Sequence, residues 1–130
     1  MSRENPADRK YTKEHEWVKD NGDGTATMGI TDHAQELLTD IVFVELPPVG
    51  KKVKQAQPLA VVESVKSVSD IYSPVSGEVV DVNASLEARP ELVNQDAFGE
   101  GWIAKLNMEA PHELENLMTA ADYEGMIKEA

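Results

Sequence analysis

Between His15 and Leu106 the sequence is a succession of short runs of branched and aromatic residues. Each run is stopped within a few positions by glycine, proline, asparagine or aspartate. Parallel pairing through helical crossovers needs connections of a dozen or more residues. Most of these runs lie closer than that, so the chain is restricted to hairpins and a β-rich α+β domain. At 130 residues this is one domain. Surface scaling buries about two-thirds of the unfolded chain's surface, enough for a core without staples.

Individual runs carry local signals. His15 to Lys19 and Thr25 to Ile30 flank Asn21-Gly22-Asp23-Gly24. Asn-Gly and Asp-Gly supply the positive φ angles of hairpin turns. A calcium loop is excluded there, because alternate ligand positions from Asp20 fall on Gly22 and Gly24. Thr31-Asp32 opens a short helix over Ala34 to Leu38, with Asp32 and Gln35 in capping-box spacing. Strands are predicted over Ile41 to Leu46, Pro58 to Val65, Val68 to Tyr72, Val79 to Val82 and Trp102 to Leu106. In the tail, Leu114, Leu117, Met118 and Ala121 recur on one helical face, with Pro111 in the first turn. Thr119 or Asp122 caps a second helix carrying Tyr123, Met126 and Ile127. The domain thus spans 1–130, with 1–10 expected to be flexible and 111–129 a helical tail.

Composition removes several functions. There is no cysteine, which excludes disulfides, a thiol nucleophile and Cys-ligated zinc. The net charge of −12 argues against nucleic acid, whose phosphates need a basic surface. No run approaches a membrane span, and the N-terminus has no apolar signal core. A cytoplasmic monomer is expected. Residues 109–130 are the most acidic stretch, either a solvated helix face or a docking surface for partners. His15, His33 and His112 are far apart in sequence and form no metal motif. No serine sits in a nucleophile elbow, and no phosphate-binding glycine loop is present. Neither a catalytic residue nor a metal site is expected.

One residue stands out. From Gln55 to Ala88, Lys66 is the only cationic side chain. It lies between two apolar runs, in Val62-Glu63-Ser64-Val65-Lys66-Ser67-Val68, where a type I turn is possible without glycine or proline. A hairpin-tip amine on a rigid support is a good site for enzymatic acylation. A lysine placed there for solubility has the same pattern, and the residues alone leave both readings open.

Glu63-Ser64-Val65-Lys66, with Ser69-Asp70-Ile71-Tyr72-Ser73-Pro74-Val75-Ser76-Gly77-Glu78-Val79, resembles the glycine cleavage system H protein family. Tyr11-Thr12-Lys13-Glu14-His15-Glu16-Trp17-Val18 is similar to the family's opening. Gly29 to Gln35, Asp40 to Pro47, Pro90 to Asn94 and Gly99 to Trp102 also resemble it, in order, over about residues 11–127. The chain departs at Ala97-Phe98, where the family often has Pro-Tyr, and at Glu14, where it often has a small polar residue.

The resemblance implies a mainly β, biotinyl/lipoyl-like barrel-sandwich hybrid with short helices and a C-terminal helical tail. It implies lipoate in amide linkage on Lys66, with Glu63 recognised by the lipoylating enzyme and Glu16 and Asp70 lining a cleft for the arm. Biotin carriers usually flank their lysine with Met, whereas Val65 and Ser67 flank this one. The implied function is a non-catalytic shuttle. Glycine decarboxylase, a pyridoxal-phosphate enzyme, loads an aminomethyl group, and an aminomethyltransferase passes its carbon to tetrahydrofolate. Dihydrolipoyl dehydrogenase then reoxidises the arm. A lipoate ligase or a lipoyl/octanoyl transferase would install it. Cofactor sulfurs would explain thiol chemistry in a cysteine-free chain. The alternatives are a lipoyl donor to 2-oxoacid dehydrogenases and an unmodified interaction module.

Overall fold

A computed structural model describes residues 5–129. Two antiparallel sheets face each other across one core. The larger has the order β1-β2-β3-β9-β8-β5, and the smaller β4-β6-β7. Their strands are β1 (Lys10–Tyr11), β2 (Glu16–Asp20), β3 (Thr25–Ile30), β4 (Ile41–Glu45), β5 (Lys52–Val53), β6 (Pro58–Ser64), β7 (Val68–Tyr72), β8 (Gly77–Val82) and β9 (Ala104–Met108). Val18, Met28, Leu106 and Val79 from the larger sheet meet Val44, Val62, Ala60 and Ile71 from the smaller in that core. The expected mainly β, two-sheet hybrid with a helical tail is the observed architecture.

The β2–β3 hairpin pairs Glu16 with Ile30 and Asp20 with Ala26. Gly22 and Gly24 adopt φ of 85° and 92° at its turn, a region that side chains resist. The helix α1 (Asp32–Leu38) starts one residue earlier than the capping-box reading. Thr31, not Asp32, is the cap: its Oγ1 accepts the Ala34 N–H at 3.1 Å. Asp32 sits inside the first turn and accepts from the Gln35 amide at 3.0 Å. A threonine in extended backbone thus caps the helix one position earlier and takes the Ala34 amide, while the Gln35 N–H that Asp32 was expected to take donates to the Thr31 carbonyl.

The last strand begins two residues later than the apolar run suggests. The Asn83 side-chain amide donates to the carbonyls of Glu100 and Trp102, holding that approach out of the ladder. Two short helices, α2 (Ser85–Ala88) and α3 (Leu92–Gln95), fill the stretch between β8 and β9 and bury Leu86, Leu92 and Val93. Asn94 fixes them to the β4 side: its carbonyl accepts the Ile41 N–H, and its amide reaches Thr39 O and Gln35.

The tail is helical in two pieces rather than along one face. A 3-10 turn (Pro111–Asn116) gives way to extended backbone at Leu117. Met118 then exchanges two backbone hydrogen bonds of 2.9 Å with Tyr11. The free edge of β1 offers unpaired backbone groups, and pairing there overrides the helical spacing of Leu114, Leu117, Met118 and Ala121. Helix α4 (Ala120–Glu129) follows, and the Asp122 N–H donates to Thr119 Oγ1 as expected for a cap. Of the stretch expected to be flexible, residues 1–4 lie outside the described residues. Arg9 donates to the Phe98 carbonyl and lies 4.6 Å over the Trp17 ring, and Lys10 joins β1.

Candidate functional site

The strands β6 and β7 form a two-stranded finger, with Glu63 opposite Val68 and Val61 opposite Asp70. Leu59, Ala60, Val62 and Ile71 root it in the core. Its turn needs no glycine because none of its residues takes a positive φ, and the Ser64 hydroxyl ties it together. Ser64 Oγ accepts the N–H groups of Lys66 at 3.3 Å and Ser67 at 3.1 Å. The Ser64 N–H donates to the Ser67 carbonyl at 2.8 Å. The Val65 N–H donates to the Asp40 carbonyl at 3.0 Å, fastening the turn to the start of β4. Ser64 is buried, while Val65, Lys66 and Ser67 are exposed. Among the described residues the Lys66 ammonium has no ion pair and no side-chain hydrogen bond. The turn, held by Ser64 and Asp40, aims this amine with no contact to its side chain, which leaves it accessible to acylation.

A cleft of about 630 Å³ opens at the base of the finger, between the two sheets and the tail. Tyr11, Thr12, Glu16, Tyr72, Met118 and Met126 are among the residues lining it. Glu16 lies within it, 1% exposed. One carboxylate oxygen accepts from Thr12 Oγ1 at 2.5 Å and the other from the Tyr72 N–H at 3.2 Å. Burial raises its pKa to about 7, against the opposing pull of these two hydrogen bonds, and the charge of Glu14 adds to the rise. Glu16 therefore ties β2 of one sheet to the root of the finger in the other.

The other expected residues separate. Glu63 is half-buried midway across the small sheet, between Phe43 and Val68. Asp70 is exposed on β7, two residues from Tyr72, and does not line the cleft. Of these two acids, Glu16 lies in the cleft wall, and Asp70 lies on the same side of β7 as the cleft residue Tyr72. No group of three His, Asp or Glu side chains suited to a metal occurs among the described residues.

Sequence reasoning missed the clasp that seats the tail beside the cleft. The Tyr123 hydroxyl, fully buried, lies 2.7 Å from His15 Nδ1 and 2.8 Å from Thr31 Oγ1. Its ring stacks on Tyr11 at 5.0 Å. These contacts seat α4 so that Met126 reaches the cleft. Burial, then the neighbouring His33, lowers the pKa of His15. His15 takes a positive φ of 71°, a region in which histidine is enriched among non-glycine residues. The Ala97-Phe98 loop is held through its backbone: Ala97 O accepts from the Trp17 indole at 3.0 Å.

The comparisons agree with this geometry. The family model described as Glycine cleavage H-protein matches residues 9–130. A glycine cleavage system H protein from Idiomarina loihiensis is 56% identical over 124 residues, covering 95% of this chain and 96% of that one. One from Symbiobacterium thermophilum has the same identity and coverage. The crystal structure of a glycine cleavage system H protein from Mycobacterium marinum superposes with a TM-score of 0.87 at 38% identity, over 95% of this chain and 99% of that chain.

Proposed function

The chain belongs to the glycine cleavage H-protein family and is a lipoyl carrier of the glycine cleavage system, and we propose that Lys66 is the residue that carries its lipoyl group. The observation behind this assignment is an exposed amine, unpaired among the described residues, on a turn locked by Ser64 and Asp40. An amide at that nitrogen removes a charge that no neighbour uses. When bound, the lipoyl group supplies the disulfide and dithiol chemistry that a cysteine-free chain lacks.

The residues around it then have definite tasks. The finger holds the attachment point away from the body. A lysine extended by an eight-carbon acyl chain spans on the order of 14 Å. The four-residue distance from Val68 to Tyr72 is about 13 Å along the strand. An arm that starts at Lys66, two residues beyond Val68, is therefore long enough to lie along most of β7 toward the cleft beside Tyr72. Glu16 presents a carboxyl group there that exchanges a proton near pH 7, suited to an amine-bearing cargo. Asp70 adds negative charge along β7, between tip and cleft. The clasp formed by Tyr123, His15 and Thr31 keeps the cleft wall in place and screens it from water.

In this reading the chain is non-catalytic. It visits glycine decarboxylase, the aminomethyltransferase and dihydrolipoyl dehydrogenase in turn, and a lipoate ligase or a lipoyl/octanoyl transferase loads it. Tethering raises the effective concentration of the carried group at each partner. Intact-mass analysis after incubation with lipoate–protein ligase, ATP and lipoate is expected to show one lipoyl group on the native chain and none on Lys66→Arg. A lipoyl group retained by Lys66→Arg overturns the assignment. Only the lipoylated chain is expected to support glycine–bicarbonate exchange with purified glycine decarboxylase.

A further inference from the structure

The outer face of the small sheet has a regular chemistry. One cross-strand row reads Phe43, Glu63, Val68 and the next reads Glu45, Val61, Asp70. Cross-strand partners point to the same side of a sheet, so apolar and acidic side chains alternate in both directions. Val44 and Val62, on the opposite side, are buried in the core. No lysine or arginine occurs in β4, β6 or β7. Phe43 is 47% exposed and Val68 66% exposed, and the face continues into Val65, also 66% exposed, at the tip. Exposed phenylalanine and valine grouped on one sheet face, with acids between them, are the makings of an interaction surface.

We propose that this face is the docking surface of the enzyme that acylates Lys66, and that this enzyme meets it with arginine or lysine side chains set around an apolar centre. The inference rests on the reading of Lys66 as the acylated residue. Its physical basis is reach. A bare lysine extends only about 6 Å from its backbone, at roughly 1.25 Å per bond. An enzyme that acylates it must therefore bring its active site against the tip and the strands behind it. Partners that act on the completed arm work at more than twice that distance and have no such need. The face is continuous with the tip, and its three acids complement a cationic partner. Glu63 lies at the centre of one row, so it acts as part of a surface rather than as a single recognition residue.

The test measures steady-state acylation of the full-length unmodified chain by lipoate–protein ligase with ATP and lipoate, varying the chain as substrate. One variant combines Phe43→Gln with Val68→Gln. A second combines Glu45→Lys with Asp70→Lys and keeps the apolar residues. A control combines Val49→Gln with Val80→Gln, two exposed apolar positions off the small sheet. Both face variants are expected to raise KM for the chain about tenfold or more, with kcat within twofold, because docking is lost while the chemistry at the amine is intact. The control is expected to keep the native KM. An unchanged KM in the face variants, a loss confined to kcat, or an equal rise in the control overturns the proposal. If the double glutamine variant fails to fold, the charge-reversal variant decides. Acylation of Lys66→Arg instead overturns the assignment of the lysine, a result separable from any of these.

Discussion

The finger tip and the aromatic clasp lie at opposite ends of β7's neighbourhood and solve opposite problems. At the tip, Val65, Lys66, Ser67 and Val68 are exposed, and the Lys66 side chain touches nothing that fixes it. In the clasp, Tyr11, Trp17 and Tyr123 are all 2% exposed or less, and their polar atoms are bonded to Pro6, Ala97, His15 and Thr31. A group that other enzymes must reach is positioned through its backbone, which the Ser64 hydroxyl and the Asp40 carbonyl hold. A wall that must stay closed is positioned by side chains. Function and stability are therefore held by different residues, and substitutions can separate them.

The widest separation is expected between Trp17→Ala and Lys66→Ala. The Trp17 ring packs between the Arg9 guanidinium and Gly29, where a Cβ would come within 2.9 Å of the indole. Its removal leaves a cavity and an orphaned Ala97 carbonyl, costing about 3–5 kcal/mol in urea unfolding. Lys66→Ala deletes an exposed side chain without partners and is expected to shift stability by less than about 0.5 kcal/mol. A destabilisation at Lys66 comparable to that at Trp17 breaks the contrast, because it means the tip is held by contacts of its own.

The same contrast decides what could be read in the sequence. The finger was legible because its determinants are local: two branched runs, a short interval and one lysine in an acid-containing stretch. The β2–β3 hairpin was legible for the same reason, through Gly22 and Gly24. The clasp was not, because Tyr11, Trp17, Ala97 and Tyr123 are brought together from distant parts of the chain. Leu117 and Met118 keep helical spacing yet take extended backbone, since the edge of β1 competes for Met118. The helices α2 and α3, four residues each, are too short to show a period. Glu16 was placed at the cleft by resemblance. Its burial and its bond to the Tyr72 N–H depend on the meeting of two sheets, which no local pattern encodes. Asp70 was assigned to the same cleft by the same resemblance; strand alternation puts it on the side of β7 that also carries Val68 and Tyr72, and Tyr72 lines the cleft.

The second expected effect lies on the pH axis. The folded pKa of Glu16 is raised from the ordinary 4.5 to about 7. Between these values the folded protein holds a proton that the unfolded chain releases. Stability from this group is complete below pH 4.5 and is lost as pH rises through 7, by on the order of 3 kcal/mol. His15 has the opposite sense: its lowered pKa makes stability fall as pH drops below the ordinary 6.5. Comparing the native chain with Glu16→Gln cancels the histidine contribution. The variant is expected to gain stability relative to the native chain from pH 4.5 to 8. A difference that stays flat across that range shows that Glu16 is already ionised in its cleft, and the wall is then as solvated as the tip.

The smallest effect probes the join between the two regimes. Ser64 is the buried residue whose hydroxyl organises an otherwise exposed turn. Ser64→Ala removes one acceptor shared by two amides, but those amides belong to exposed residues and water can replace it. The cost is therefore expected near 1 kcal/mol, the ordinary net value of a hydrogen bond, rather than the larger penalty of a buried orphan. Its signature is local. Amide exchange at Lys66 and Ser67 should accelerate while Val62 and Ile71 keep their protection, and kcat/KM for acylation should fall a fewfold because the amine samples more directions. Ser64→Thr, which retains the hydroxyl, should restore both. Equal acceleration at Val62 would mean that the turn and the rooted strands open together, and the finger would then lack the independence of tip from base on which presentation of a bare lysine depends.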